Sequence, residues 1–232
     1  MTAALHLAAP SAPRRRLLRD LAGIPLALAL AACASKGAKV DKPAAPLPLP
    51  DPDDLNAFLV SGRFAVRHGE QSAAGGFSWR RTPEWRGDAA RNGPGAVASN
   101  RDEVFFYSPL GQTVAELVIT VDGATLTADG RTESAANADA LVQRALGLEL
   151  PLAGGGDWLL ARGGAVQRRD GSGRPARIED RGWRLDYGYP DERPGALPER
   201  VVALRLLDEV EVRLKLDEWE ALGLDALTGR RP

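Results

Sequence analysis

Few side chains here have the type and spacing that catalysis needs. Of two histidines, His6 and His68, only His68 lies beyond the first 33 residues, beside Gly69 at the end of an alternating segment. That setting suits an exposed turn residue. One histidine cannot form a metal cluster or, without a neighbouring nucleophile, a triad. Gly171-Ser172-Gly173 places a serine between glycines, but a nucleophile elbow needs a strand before it and a helix after it. No phosphate loop, dinucleotide fingerprint or HExxH motif occurs. Carboxylates are plentiful, yet they mostly alternate with arginines, as on a solvated sheet face. A carboxylate-pair hydrolase is the one catalytic reading left open. The expectation is no enzyme, no cofactor and no metal.

Cys33 offers a different chemistry. It ends the run Leu30-Ala31-Ala32-Cys33, behind the apolar residues 21–32 and the basic group Arg14, Arg15, Arg16 and Arg19. A positive n-region, a short apolar h-region and a small-residue cleavage site make a secretory signal. Its final four residues resemble the lipobox of bacterial lipoproteins, in which the cysteine becomes the lipidated first residue of the mature chain. An ordinary signal with a chance cysteine is the alternative, and Arg14-Arg15-Arg16 followed by Leu17-Leu18 also admits a weak twin-arginine reading. Position, flanks and the lack of any other cysteine favour lipidation of Cys33.

Cleavage before Cys33 leaves 26 basic residues against 30 acidic ones. This balance argues against a nucleic-acid partner, which needs a basic surface. No later stretch approaches the roughly 18–20 apolar residues that cross a bilayer, so attachment would rest on the lipid. Residues 34–52 are rich in Ala, Lys and Pro, with Pro43, Pro46, Pro48, Pro50 and Pro52 closely spaced. That composition predicts an extended tether. Ala34 follows the cysteine, where an aspartate commonly retains lipoproteins in the inner membrane; the expected location is the outer membrane, facing the periplasm.

From Leu55 the pattern has period two. Phe64 and Val66, then Gly75, Phe77 and Trp79, then Ala115, Leu117, Ile119 and Val121 alternate with mostly polar neighbours. Trp183, Leu185 and Tyr187 repeat the pattern, as do Val210, Val212, Leu214 and Leu216. These predict antiparallel strands with one apolar face, separated by turns at Gly123, Gly130, Gly171 with Gly173, Gly182 and Asp208. Ala138, Leu141, Val142 and Ala145 predict a helix over 137–146 stopped by Gly147, and a short second helix is expected over 157–161. Residues 87–100 read as a surface loop, and 220–232 as a tail outside the core. The order predicts a curved antiparallel sheet with helices on one side, an α+β fold that is mainly β.

Ser108-Pro109-Leu110-Gly111 is the odd turn. Pro109 and Gly111 fit the second and fourth β-turn positions, which leaves Leu110 at the tip, where a polar residue is usual. From composition alone, Leu110 either folds back onto the core or is a stray exposed leucine.

Taken together, Gly62-Arg63-Phe64-Ala65-Val66, Gly76-Phe77-Ser78-Trp79, Ser108-Pro109-Leu110-Gly111-Gln112, Leu146-Gly147 with Leu150-Pro151, Trp158-Leu159-Leu160, Gly182-Trp183, Leu197-Pro198 and the closing Val212-Arg213-Leu214-Lys215-Leu216-Asp217-Glu218-Trp219 resemble the LolB family of outer-membrane lipoprotein receptors. The resemblance implies an incomplete antiparallel β-barrel with a helical lid over a hydrophobic cavity. It implies that lipoproteins are accepted from the periplasmic carrier LolA and placed in the outer membrane. The leucine of the Pro-Leu-Gly turn, here Leu110 between Pro109 and Gly111, would be the protruding residue of membrane insertion. Two departures stand out: a longer link over 80–103, and Gly154-Gly155-Gly156 where an apolar residue commonly precedes the tryptophan.

An acyl-chain cavity would be lined by Phe64, Phe77, Trp79, Leu117, Ile119, Trp183, Leu185, Val212 and Leu214, although a filled barrel shows the same alternation. The expected organisation is a signal peptide (1–32), a tether (33–54), a lipoprotein-binding domain (55–219) and a tail (220–232). Expected partners are a LolA-like carrier, lipoprotein acyl chains and outer-membrane lipids, with the chain itself a monomer. A structural lipoprotein that binds a protein partner, or an anchored hydrolase, would carry the same anchor and tether.

Overall fold

The computed structural model describes residues 49, 51–86, 97–146, 152–205, 207 and 209–223. Cys33, most of the tether, residues 87–96, Gly147 and Asp208 lie outside the described residues.

Alternation becomes one antiparallel sheet. Six strands run in succession: β1 (Phe58–His68), β2 (Gln71–Arg86), β3 (Val97–Tyr107), β4 (Thr113–Thr120), β5 (Gly123–Ala128) and β6 (Arg131–Ala135). Helices α1 (Ala138–Leu146) and α2 (Gly155–Leu159) follow, then β7 (Ala165–Arg169), β8 (Pro175–Asp180), β9 (Trp183–Gly188), β10 (Arg200–Arg205) and β11 (Val210–Ala221). The strand order is β6-β5-β4-β3-β2-β1-β11-β10-β9-β8-β7. The first and last strands meet at the centre, while β6 and β7 are the edges, so the sheet is open. All other neighbouring strands are consecutive in the chain, as antiparallel pairing permits.

Two local features shape the sheet. Ser61 pairs with Glu218 but Gly62 with Leu216, so Asp217 is an extra residue in β11, a bulge that bends its strand. A Cβ on Gly62 would run into the Lys215 carbonyl, which explains a glycine inside a strand. Pairing between β1 and β2 starts at Phe58 and Arg81. Pro83 therefore sits where β2 has lost its neighbour on that side, a position that tolerates the missing N–H.

Asn137 caps α1, its Oδ1 accepting the Ala140 amide at 2.8 Å. Ala138, Leu141 and Val142 are buried and α1 packs on β5 and β6. Burial of each large side chain is worth about 1.5–3 kcal/mol. Three boundaries differ from the sequence reading. Residues 97–100 belong to β3, because a strand partner satisfies backbone groups that the glycine- and alanine-rich composition left unassigned. Helix α2 begins at Gly155, two residues before Asp157. β11 runs to Ala221, which packs with Trp219 against the core.

Candidate functional site

The strand registers put the apolar members of the alternating segments on one inner face, except Val121, which falls beyond the end of β4 and is exposed. Phe64 faces Leu214 on one side and Gly75 on the other, Gly62 faces Phe77, and Phe77 faces Phe106. All nine cavity candidates lie on this face, at two depths. Phe77, Trp79, Leu117, Ile119, Trp183 and Leu185 are buried in the core cluster, whereas Phe64, Val212 and Leu214 are half-buried against it. Val66 and Phe106, which the sequence reading left out, join the half-buried group. The Phe64 and Phe106 rings meet edge-on at 5.7 Å. Along β1 the gradient is direct: Phe58 and Val60 are fully buried, and Phe64 and Val66 are not. The inner face is thus filled around Phe58 and less covered toward the β1–β2 turn.

The filled part holds α2. Its first residues sit on β2: a Cβ on Gly155 would lie 2.6 Å from the Trp79 ring, and one on Gly156 would enter the Arg81 guanidinium. Gly155 and Gly156, two of the three glycines noted in the sequence, therefore let the helix backbone rest directly on the sheet. Gly154 precedes the helix with φ of 97°, a left-handed conformation that glycine takes without strain. On its other side α2 reaches β8 and β9. Trp158 Nε1 donates to Asp180 at 2.8 Å, and its ring lies 5.8 Å from that of Trp183. Since three strands separate β2 from β9, one short helix touching both requires the inner face to be concave.

A buried ion pair lies beneath α2. Arg81 Nε and Nη2 donate to Asp102 at 2.8 and 2.9 Å, Trp79 Nε1 donates to the same carboxylate at 2.8 Å, and Arg81 Nη1 donates to Asp157 of α2 at 2.7 Å. Burial by itself lowers the Arg81 pKa, but the hydrogen bonds and charges of Asp102 and Asp157 outweigh it and hold the guanidinium above its ordinary value. The sequence reading missed this pair. A signal existed: period two carried on from Phe77 and Trp79 points Arg81 inward, and carried back from Phe106 and Val104 does the same for Asp102.

At the β3–β4 turn, the Gly111 amide donates to the Ser108 carbonyl at 2.8 Å, and Gly111 takes φ of 80°. Pro109, Leu110 and Gly111 are all exposed. Leu110 is 87% exposed, so it does not fold back onto the core.

Two other features lack the form of a reactive site. His68 is half-buried opposite Val210 and Gln71, and no group of His, Cys, Asp and Glu among the described residues is arranged to hold a metal ion. A cleft of about 280 Å³ lies between Asp51, Arg174, Tyr189 and Pro198. Its buried Arg174 is occupied by Asp170 and by the carbonyls of Asp191 and Arg193, and stacks 4.0 Å from the Tyr189 ring centre. Burial pushes the Tyr189 hydroxyl up to about 12.

A concave, one-sided apolar sheet with an exposed Pro-Leu-Gly tip can now be set beside known proteins. The family model described as "Outer membrane lipoprotein LolB" matches residues 97–219. The chain belongs to the LolB family. A LolB named "Outer-membrane lipoprotein LolB" from Azoarcus sp. (strain BH72) is 37% identical, the match covering 90% of this chain and 98% of the relative. LolB from Dechloromonas aromatica is 34% identical over 82% of this chain and 92% of the relative. LolB from Thiobacillus denitrificans is 35% identical over 84% and 94%. The family match runs from β3 to Trp219, taking in the Leu110 turn, both helices and most of the central strand β11.

Proposed function

We propose that this chain is an outer-membrane receptor for lipoproteins. It accepts them from a LolA-like periplasmic carrier, shelters their acyl chains against the inner face of the sheet, and releases them into the outer membrane. Cys33 anchors it through lipid, and Leu110 touches the bilayer during release. A transport role asks for no catalytic group.

The observation that carries this reading is the half-buried apolar patch of Phe64, Val66, Phe106, Val212 and Leu214, on the same concave face as the closed core. Acyl chains need such a surface. At about 0.8 kcal/mol per methylene, three chains of some 14 methylenes would cost roughly 30 kcal/mol to expose to water. Cargo must therefore pass directly from one apolar surface to the next. The chain has no nucleotide motif, so the drive would be tighter binding here than in the donor, followed by a downhill step into lipid. In this reading α2, held by Arg81 and Asp102, is the lid whose movement enlarges the patch into a cavity.

Mixing the chain with carrier loaded with a triacylated lipoprotein tests the proposal. The cargo should move to this chain without nucleotide, and Phe64→Asp with Leu214→Asp should reduce the transfer. Cargo that stays on the carrier, together with no uptake of a fluorescent fatty-acyl probe, would refute it.

A further inference from the structure

Leu207 is 94% exposed, more than Leu110. It lies in the turn joining β10 and β11, where Arg205 pairs with Val210. The registers fix which end of the sheet this is. Val210 pairs with His68 beside the β1–β2 turn, and Tyr107, just before the Leu110 turn, pairs with Gly76 near the start of β2. Leu110 and Leu207 therefore stand at the same end. The β1–β2 hairpin lies between their two hairpins in the strand order. Four interstrand spacings of about 4.8 Å put them roughly 19 Å apart around the sheet.

We infer that Leu207 is a second bilayer contact, so that the domain meets the membrane through two leucine tips. The inference rests on the proposed role of Leu110 and extends it from one point to two. A single tip leaves the domain free to tilt, whereas two tips on separate hairpins fix the axis between them. That fixes how the half-buried inner patch faces the lipid. A bilayer suits such tips better than a protein does. Leucines at the tips of short turns can enter a fluid interface of any shape, while a stable protein interface buries a continuous patch of about 800 Å² on each partner. The anchor permits the arrangement. The chain enters β1 at the opposite end, and β1 is about 36 Å long. Residues 33–51 reach about 60 Å at full extension, enough to bring Cys33 back to a membrane at the leucine end.

The test uses the mature, lipid-modified chain in vesicles of phosphatidylethanolamine and phosphatidylglycerol carrying a nitroxide-labelled lipid. Leu110→Cys, Leu207→Cys and Val121→Cys are each labelled with an environment-sensitive fluorophore. Val121 is the matched control, 58% exposed in the β4–β5 turn at the far end. Quenching at positions 110 and 207 but not at 121 is the expected result. Quenching at 110 alone overturns the second contact and leaves the Leu110 reading standing. No quenching at 110 or 207 overturns both, and quenching at all three shows a domain lying flat, which also overturns the two-tip contact. A label at 207 that ignores lipid but is shielded by added LolA-like carrier assigns Leu207 to protein docking instead.

Discussion

Arg81 of β2 and Asp102 of β3 face each other in register, and two hydrogen bonds of 2.8 and 2.9 Å join them on the buried face of the sheet. Both side chains are almost inaccessible, at 3% and 6%. Such a pair stabilises mainly while it is complete: without Arg81, Asp102 is a buried charge, and without Asp102, Arg81 keeps only the part-exposed Asp157. Asp102→Ala should cost about 3–5 kcal/mol in urea unfolding, and Arg81→Met with Asp102→Leu should recover most of that loss. A loss under about 1 kcal/mol for Asp102→Ala would mean that water already reaches the pair.

Alanine at Gly155 or Gly156 should be destabilising, against the usual helix preference. Alanine favours a helix by up to about 1 kcal/mol, but the added methyl meets the Trp79 ring or the Arg81 guanidinium. Overpacking of this kind costs about 1–3 kcal/mol and should prevail. Thermal melts of the two variants decide it; an unchanged or raised Tm would show that α2 is not seated on β2 as described.

Leu110→Glu changes an exposed tip, so stability should stay within about 0.5 kcal/mol. Uptake of cargo from the carrier should be normal, and delivery to membranes should slow. Wild-type delivery by this variant would remove the turn from the mechanism.

In the proposed reading, where lipid on Cys33 is the anchor, Cys33→Ala should yield a periplasmic protein extractable without detergent. Fractionation that leaves the variant firmly membrane-bound would point to an anchor other than lipid.

Alkaline pH should unfold the domain before its buried phenols ionise freely. Burial raises the pKa values of Tyr187 and Tyr189, Tyr189 to about 12. A raised folded-state value leaves stability intact below the unfolded value of about 10 and removes it as pH climbs from there toward 12. Phenolate absorbance for these residues should appear together with loss of near-ultraviolet circular dichroism. A phenolate signal near pH 10 from a folded Tyr107→Phe domain, in which Tyr187 and Tyr189 are the remaining phenols, would contradict their burial.

The sheet, helix α1 and the Leu110 turn were legible in the chain because each is written locally. Period two is a property of one strand at a time, so Phe64 with Val66, Leu117 with Ile119 and Val212 with Leu214 declared their shared face before any partner was known. Asn137 and the spacing of Ala138, Leu141 and Val142 announced α1 in the same local way. The Leu110 turn was readable because Pro109 and Gly111 have strong positional meaning. Residues 97–100 were misread because their composition resembles a loop and only pairing with β2 makes them a strand.

The amino-acid order by itself determined the lipobox-like run ending at Cys33, the apolar face of each strand and the tip position of Leu110, since each depends on neighbours a few residues away. Tertiary structure alone decided that β1 and β11 meet at the centre, that Arg81 finds Asp102 under α2, and that Gly155 and Gly156 are a seat for a helix instead of a gap. It also decided which inward residues are covered and which stay half-open. Those outcomes depend on contacts between segments distant in the chain, where charge balance and the room left by a missing Cβ have meaning only after the sheet has curved.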